Sequence, residues 1–543
     1  MSILENASEL RGWFDRVKGD RDNVLNTWKE ISEHQLGTRH FDQTWTPGQT
    51  RNTRIYDTTA QQAHQLLAGA LHGLLTNPAT DWFDLDPSNK EVLDDFDSLV
   101  WLEDAKRKML RVFQSQRSGF PTQSAEIYLD LPGYGMAGLS ILGTGNDIKF
   151  HAHPLSELHV QTGERNQVNT VFREVNLTAR QWAKRFPDDN DESVSRALDG
   201  KTPDTKFRVI QLLVESDDPF AGPSKVAKAI TSVYFSGDGK ARILETKGFD
   251  EMPLLTPRWS VESGEDYGVG PGHIAQPNAR MLNEMMKTVL KYAQKASDPP
   301  LLATSEAILS GVRMHPGGIT YVQQLFGQAG TGEAIRPIPL AGRHELTVDV
   351  LNRVQGQVRN AYFAQLLQLF DQPGMTATQV VQLAQQITQL MAPMLGRSQA
   401  ELIEPMLSRV FNQMLRGRAF LPVPTALQGM TLNISYVSPV ARSQKAADAR
   451  AVMETWQAAA IIAQTTGSPD ALDGLDPDES VRIIAESVQA PRRMLRNPAD
   501  IDAMRDSREQ QTSTDQTLSR LGQGADIAQK LQGALGGQGA VAA

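Results

Sequence analysis

GVGPGHIAQPNARMLNEMMKTVLKYAQKASDPPLLAT, residues 268–304, governs how everything around it is read. Gly268, Gly270, Pro271 and Gly272 punctuate a turn, an amphipathic helix follows, and Pro299-Pro300 stops it. Leu282, Met285, Met286, Val289, Ala293 and Ala296 recur at three- and four-residue steps, so one stripe is apolar. Lys287, Lys291 and Lys295 follow at four-residue steps and draw a line of charge along another face. Most such lines are simply the solvated side of a helix. The functional alternative is a rail turned toward DNA or a partner protein.

The chain has 543 residues, too many for one core, and two to four packed units are expected. Its 40% apolar and 22% charged content is that of a soluble globular protein. The absence of cysteine excludes disulfides, thiol nucleophiles and cysteine metal sites. No run reaches the roughly 18 apolar residues of a membrane helix, and MSILENASELRGWF lacks a signal-peptide layout. The expectation is a protein made in the cytosol, with no membrane partner. Basic residues number 54 against 63 acidic ones, a net charge of −9. Proteins that coat nucleic acid carry the opposite surplus. The balance disfavours a DNA binder but not a conduit, where tight phosphate contacts would stall the strand.

Along the chain, helical spacing predicts helices over residues 1–36, 58–76 and about 91–117. From 126 to 249 the period falls toward two, with strands expected at 127–131, 139–142, 148–151, 158–161, 170–176, 207–214, 232–235 and 241–245. Asp238-Gly239 reads as a hairpin turn. One helix interrupts, 178–186, with Thr178 placed to cap it. After a Gly/Pro-rich stretch at 298–342, a long helix is expected over 344–370, with Val350, Leu351, Val354, Val358, Ala361, Tyr362, Leu366 and Leu369 on its buried stripe. Asp371-Gln372-Pro373-Gly374 breaks it, and another helix runs over 376–418, kinked near Pro393 with a second proline at Pro405. A strand at 431–437 and helices at 443–465 and 479–495 complete the pattern, before a Gln-rich tail. The fold class is α+β, helix-rich.

Catalytic signatures are missing. There is no GxxxxGK[ST] loop and no GxSxG elbow, and the glycines at 268, 270 and 272 are too close for a dinucleotide fingerprint, so a structural turn is the better reading. His151 and His153 alternate on a strand candidate and could share a metal, but no carboxylate at useful spacing completes a site. Asp470, Asp473, Asp476 and Asp478 lack the calcium-loop pattern, and helix capping ahead of Glu479 explains them better.

Five stretches, in order, resemble the portal protein (head-to-tail connector) family of short-tailed, T7-like bacteriophages. They are RIYDTTAQQAHQLLAGALHGLLTNPATDWF (54–83), EIYLDLPGYGMAGL (126–139), NTVFREVNLTARQWAKRF (169–186), YGVGPG with LNEMMKTVLKYAQKASDPPLL (267–272 and 282–302) and LIEPMLSRVFNQMLRG (402–417). The resemblance spans about residues 5–445. It implies a ring, a dodecamer in the virion, at one vertex of the capsid. Residues 1–277 and 376–445 would be the wing, with a kinked helix and return strand in the second segment. Helices 278–297 and 343–371 would be the stem, 298–342 the clip, 371–376 a tunnel loop, 446–508 the crown, and 509–543 a tail, helical barrel or disordered. Asp371, Gln372, Pro373, Gly374 and Met375 are then the channel-loop candidates, and Lys287, Lys291 and Lys295 a basic stripe on the stem. The implied partners are terminase large subunit, tail adaptor or head-completion protein, scaffolding and major capsid proteins, and double-stranded DNA passing without sequence specificity. No cofactor, metal or catalytic residue is implied, and the protein is expected not to be an enzyme. Two alternatives stay open: another ring-forming scaffold, and an enzyme with a site around Asp130 and His151.

Overall fold

Asn6 starts the first helix, α1 (Ala7–Ile31), by accepting a hydrogen bond from the Ser8 amide at 3.1 Å. In the computed structural model, residues 3–37, 41, 55–78, 80–87, 95–189, 191–200, 202–222, 226–297, 301–303, 335–337, 344–368, 377–428, 432–436, 439–466, 470–487, 490, 494–497, 500–508 and 510–511 are described. They fall into two compact units: one of residues 1–84, 109–419 and 434–440, the other of 85–108, 420–433 and 441–543.

In the first unit α1 is followed by a π turn, Ser32–Leu36, and by α2 (Thr59–Leu75). After β1 (Phe83–Pro87) and α3 (Phe96–Gln114), whose residues 85–87 and 96–108 belong to the second unit, α4 covers Phe120–Tyr134 in the first. Here the expectation of a strand at 127–131 is wrong. Left-handed glycines bracket the segment, Gly119 at φ 75° and Gly135 at φ 77°, and Pro121 sits in its first turn, so the local chemistry is that of a helix. Ile127, Tyr128, Asp130, Leu131, Pro132, Gly133 and Tyr134 are all buried, which erases the amphipathic signature.

The other strands lie close to their expected places. β2 (Leu139–Leu142) pairs with β3 (Lys149–Ala152) on one side and with the short β9 (Leu254–Leu255) on the other. Between them β4 (Leu158–Thr162), β5 (Val168–Thr178), β6 (Lys206–Glu215), β7 (Ile230–Ser236) and β8 (Ile243–Phe249) form an antiparallel sheet in sequence order. Asp238-Gly239 lies between the last two, with Gly239 at φ 61°. The sheet holds because α1 lays Trp13, Phe14 and Val17 on Phe172, Ile210, Leu212, Val233 and Phe235. Each such side chain contributes about 1.5–3 kcal/mol by leaving water. Between β5 and β6, Thr178 caps α5 (Ala179–Arg185) through a reciprocal capping box with Gln181, and an unanticipated helix, α6 (Glu192–Asp199), packs beside it.

Helix α7 runs over Pro271–Ser297, so it begins at Pro271 and not at 278. Proline at a helix start needs no backbone donor: Gly268 and Gly270 lie before the helix, while Pro271 and Gly272, which read as part of the turn, already belong to its first turn. β10 (Leu301–Ala303) and β11 (Ile335–Pro337) pair antiparallel, Leu301 against Pro337. α8 (His344–Ala361) packs along α7. It is not continuous to 370: Phe363 adopts φ 56°, and the chain restarts as α9 (Ala364–Gln368). Leu351, Val354, Val358 and Tyr362 are buried as expected, whereas Val350 is exposed. α10 (Ala377–Ser398) contains Pro393 and passes into a second π turn, Gln399–Ile403. α11 (Glu404–Arg416) follows, with Pro405 opening it, where a missing N–H costs nothing. The expected strand is present as β12 (Leu432–Tyr436).

In the second unit Trp101 donates its indole N–H to the Leu421 carbonyl at 3.0 Å. Its helices are α12 (Pro439–Thr466), a single turn Asp470–Asp473, and α13 (Pro477–Ser487), shorter than the 479–495 expected. Asp476 does cap: its carboxylate accepts from the Asp478 and Glu479 amides at 2.8 and 3.1 Å. Among the described residues no helix is long and apolar enough to cross a membrane.

Candidate functional site

The foot of α7 is a backbone-on-backbone contact. A Cβ on Gly272 would lie 2.1 Å from the Gly133 carbonyl oxygen, and one on Gly268 2.1 Å from that of Gly135. Gly270 would meet the Pro132 carbonyl at 2.7 Å. The three glycines that punctuate the sequence are therefore the surface on which the end of α4 rests, and any side chain would push the two apart.

Around this contact several buried polar side chains bond one another. Gln35, in the first π turn and fully buried, donates to the Gly272 carbonyl at 2.9 Å and to Gln276 Oε1 at 2.5 Å, and accepts from the Tyr362 hydroxyl at 2.6 Å. Asn283 accepts from the Tyr56 and Asp57 amides at 2.8 and 3.2 Å and donates to the Ala279 carbonyl at 2.9 Å. The Asp57 carboxylate accepts from the Thr59 amide at the start of α2 and from Gln355 Nε2 on α8, at 2.8 and 2.7 Å. α1, α2, α7 and α8 are thus tied at one place by side chains whose donors and acceptors are used. Burial of the Tyr362 hydroxyl pushes its ionisation up.

The second π turn grips the same turn from Arg258, which is fully buried. Its guanidinium meets Glu401 at 2.8 Å and the Asn166 carbonyl at 2.6 Å, while Glu401 Oε2 also accepts from the Arg258 amide at 2.9 Å. Arg397 adds a further contact to Glu401 at 3.0 Å. At the first turn of α7 the Gly270 amide donates to His273 Nδ1 at 3.2 Å, and burial lowers the His273 pKa to about 4, so the ring is neutral. These contacts hold geometry, and none presents a nucleophile beside a base.

Beyond Asn283 no residue of α7 is buried. Lys287 lies 3.3 Å from Glu284 and 5.9 Å from the Tyr56 ring centroid, so the first lysine of the stripe is engaged within its own chain. Lys291 and Lys295 are exposed and make no ion pair with a described residue. Ile274, Met281 and Leu290 are exposed too, as are Val348 and Val350 on α8. Asp371, Gln372, Pro373, Gly374 and Met375 lie outside the described residues, as do most of 298–342 and of the tail from 509. His151 and His153 do come together, ring centroids 4.6 Å apart, but His151 is exposed and His153 is buried against Ser140 Oγ at 2.8 Å. Among the described residues no three acidic or histidine side chains are grouped as metal ligands. Asp130 is buried in α4, not on a strand beside them. Sequence reasoning placed Tyr362 on a buried stripe without its partner, and missed Gln35, Gln276, Arg258 and Glu401. The only local trace of the site was the glycine spacing.

The family model of the bacteriophage head to tail connecting protein matches residues 7–495. This chain belongs to that family. Two curated relatives agree along nearly the whole length. The portal protein of Salmonella phage epsilon15 is 27% identical over 523 residues, 94% of this chain and 92% of its own. The probable portal protein of Bordetella phage BPP-1 is 27% identical over 528 residues, 95% and 93% of the two chains. A solved chain from the neck of an empty GTA particle, computed with C6 symmetry, aligns over 73% of this chain and 86% of its own, at 10% identity and a TM-score of 0.36. The connector acts as a phage portal protein, a component of the virion at the junction of head and tail.

Proposed function

We propose that copies of this connector close head-to-tail into a dodecameric ring at one capsid vertex, with α7 and α8 as the stem around an axial channel for double-stranded DNA. The observation that carries the reading is the asymmetry of the helix pair. One end is tied by its own buried contacts, and the other leaves Leu290 and Val350 bare. Two different faces that meet between identical copies make a heterologous contact, and a rotation that closes makes a ring. The acidic balance of the chain, −9, suits a strand that slides and does not stick.

In this reading residues 1–277 and 376–445 form the wing, 278–297 and 343–371 the stem, and 298–342 the clip, which leaves and returns through the β10–β11 ladder. Residues 446–508 form the crown. The extra turns from Pro271 to 277 belong to the root of the stem helix, where it is held in the wing. Asp371, Gln372, Pro373, Gly374 and Met375 narrow the channel. The ring starts capsid assembly with scaffolding and major capsid proteins and docks the terminase large subunit, whose ATP hydrolysis drives DNA inward. It later binds the tail adaptor of a short-tailed, T7-like virion at the clip. In this reading the connector itself hydrolyses nothing, and the purified protein is expected to show no ATPase activity.

The test replaces Gln372, Pro373 and Gly374 together by alanine. Rings should form at the wild-type yield while DNA packaged or retained per capsid falls at least several-fold. Loss of rings in that variant would make the loop a structural element and remove it from the channel.

A further inference from the structure

Gln35, Gln276 and Tyr362 form a directional chain that ends at the surface. Tyr362 OH donates to Gln35 Oε1, Gln35 Nε2 donates to Gln276 Oε1 at 2.5 Å, and Gln276 Nε2 donates to Glu30 Oε2 at 3.1 Å. The first three side chains are buried, while Glu30 is 47% exposed and also faces Arg280 at 3.8 Å. Each amide in this chain has one acceptor end and one donor end, so turning one over obliges the next to turn. A carboxylate only accepts, and so does the Gly272 carbonyl that Gln35 bonds at 2.9 Å. These two acceptors pin the chain in one sense.

We infer that Glu30 is the surface input of a hydrogen-bond relay that sets how the end of α8 is held against the foot of α7. Placing a donor at position 30 reverses the demand on Gln276, which then presents Nε2 to Gln35. Gln35 must answer with its oxygen, which then faces the Gly272 carbonyl in place of the donor that bonded it, while its Nε2 turns to the Tyr362 hydroxyl, which must change from donor to acceptor. A buried hydrogen bond is lost and two oxygens are opposed, several residues from the charge that caused it. Tyr362 is the place where this registers, because Phe363 follows it at φ 56° and the helix breaks there. A cationic group docking on Glu30 from outside acts in the same direction as the substitution, by competing with Gln276 for the carboxylate. The inference rests on contacts within one chain and does not depend on how many copies assemble.

The test is hydrogen–deuterium exchange of the full-length protein, read by mass spectrometry in peptides covering 268–276 and 358–367. Glu30→Lys should speed exchange in both by roughly tenfold, while Glu30→Gln, which keeps an acceptor, stays within about twofold of wild type. Asp15→Lys makes the same charge change on an exposed part of α1 and should leave both peptides unaltered. In a Gln276→Leu background, where the relay is cut, Glu30→Lys should add nothing at 358–367. An effect of Glu30→Lys no larger than that of Asp15→Lys, or one that persists in the Gln276→Leu background, overturns the relay. Should Glu30→Lys fail to fold, Glu30→Ala carries the test with about a threefold rise expected, and an unchanged rate would reject it.

Discussion

The two halves of α7 are built from similar residues and live by different rules. From Pro271 to Asn283 the helix is buried and bonded, with glycines against α4, amides against α1 and α8, and a neutral histidine closing the first turn. From 284 to 297 it has no buried residue, and it carries Lys291 and Lys295, which make no ion pair with a described residue, and an exposed Leu290. The first half is complete in one chain. The second has the composition of a surface waiting for a neighbour. If the proposed ring forms, stability and assembly lie in different parts of one helix, and substitutions should separate them.

The sharpest test of the first half is a side chain in the glycine contact. Gly272→Val places its Cβ about where the Gly133 carbonyl stands, and we expect more than about 4 kcal/mol of destabilisation, seen as loss of soluble folded protein. Gly356→Ala on α8, where nothing lies within 4 Å, should instead stabilise the fold by up to about 1 kcal/mol, seen as a higher thermal midpoint. Equal outcomes for the two would dissolve the distinction between a packed glycine and a free one. Next in size is Glu401→Ala, which strands the buried Arg258 charge and should cost about 3–5 kcal/mol in chemical unfolding.

The pH dependence follows. His273 binds its proton near pH 4 when folded and near 6.5 when unfolded, so the unfolded chain takes up protons first as the pH falls. Stability should drop as the pH passes from about 6.5 toward 4, by about 2 kcal/mol at pH 5 relative to pH 7 for this one group. His273→Gln should flatten that part of a midpoint-versus-pH curve, and an unaltered slope would show that the ring is not neutral in the fold. The smallest effect belongs to the second half: Lys291→Ala with Lys295→Ala should move the unfolding midpoint by less than about 0.5 kcal/mol. A larger loss would mean that the stripe is engaged within the chain after all.

What could be read from the residues depended on how local the physics was. The capping box at Thr178, the Asp238-Gly239 hairpin and the sheet strands are set by neighbours in sequence, and they stand where their spacing puts them. α4 was misread because burial on nearly every side removes the stripe that betrays a helix, leaving an apolar run that looks extended. The start of α7 was misplaced because glycine and proline serve equally for a turn and for a tightly packed first helical turn. The break at Phe363 and the two π turns have no local signature, since tertiary bonds hold them. The site itself was least legible. Gln35 finds Gln276 241 positions away and Tyr362 327 away, and nothing in a glutamine announces such partners. The connector family, by contrast, was legible from five ordered stretches taken together, where no single residue carries chemistry.

The central claim is that the second half of α7 is finished only by another copy. Cryo-electron microscopy of the purified full-length protein tests it directly. The account predicts closed rings with an axial hole, in which Leu290 is covered by the adjacent copy while the foot at Gly272 keeps the contacts seen in one chain. Monomers, or rings in which residues 284–297 face only solvent, would contradict it.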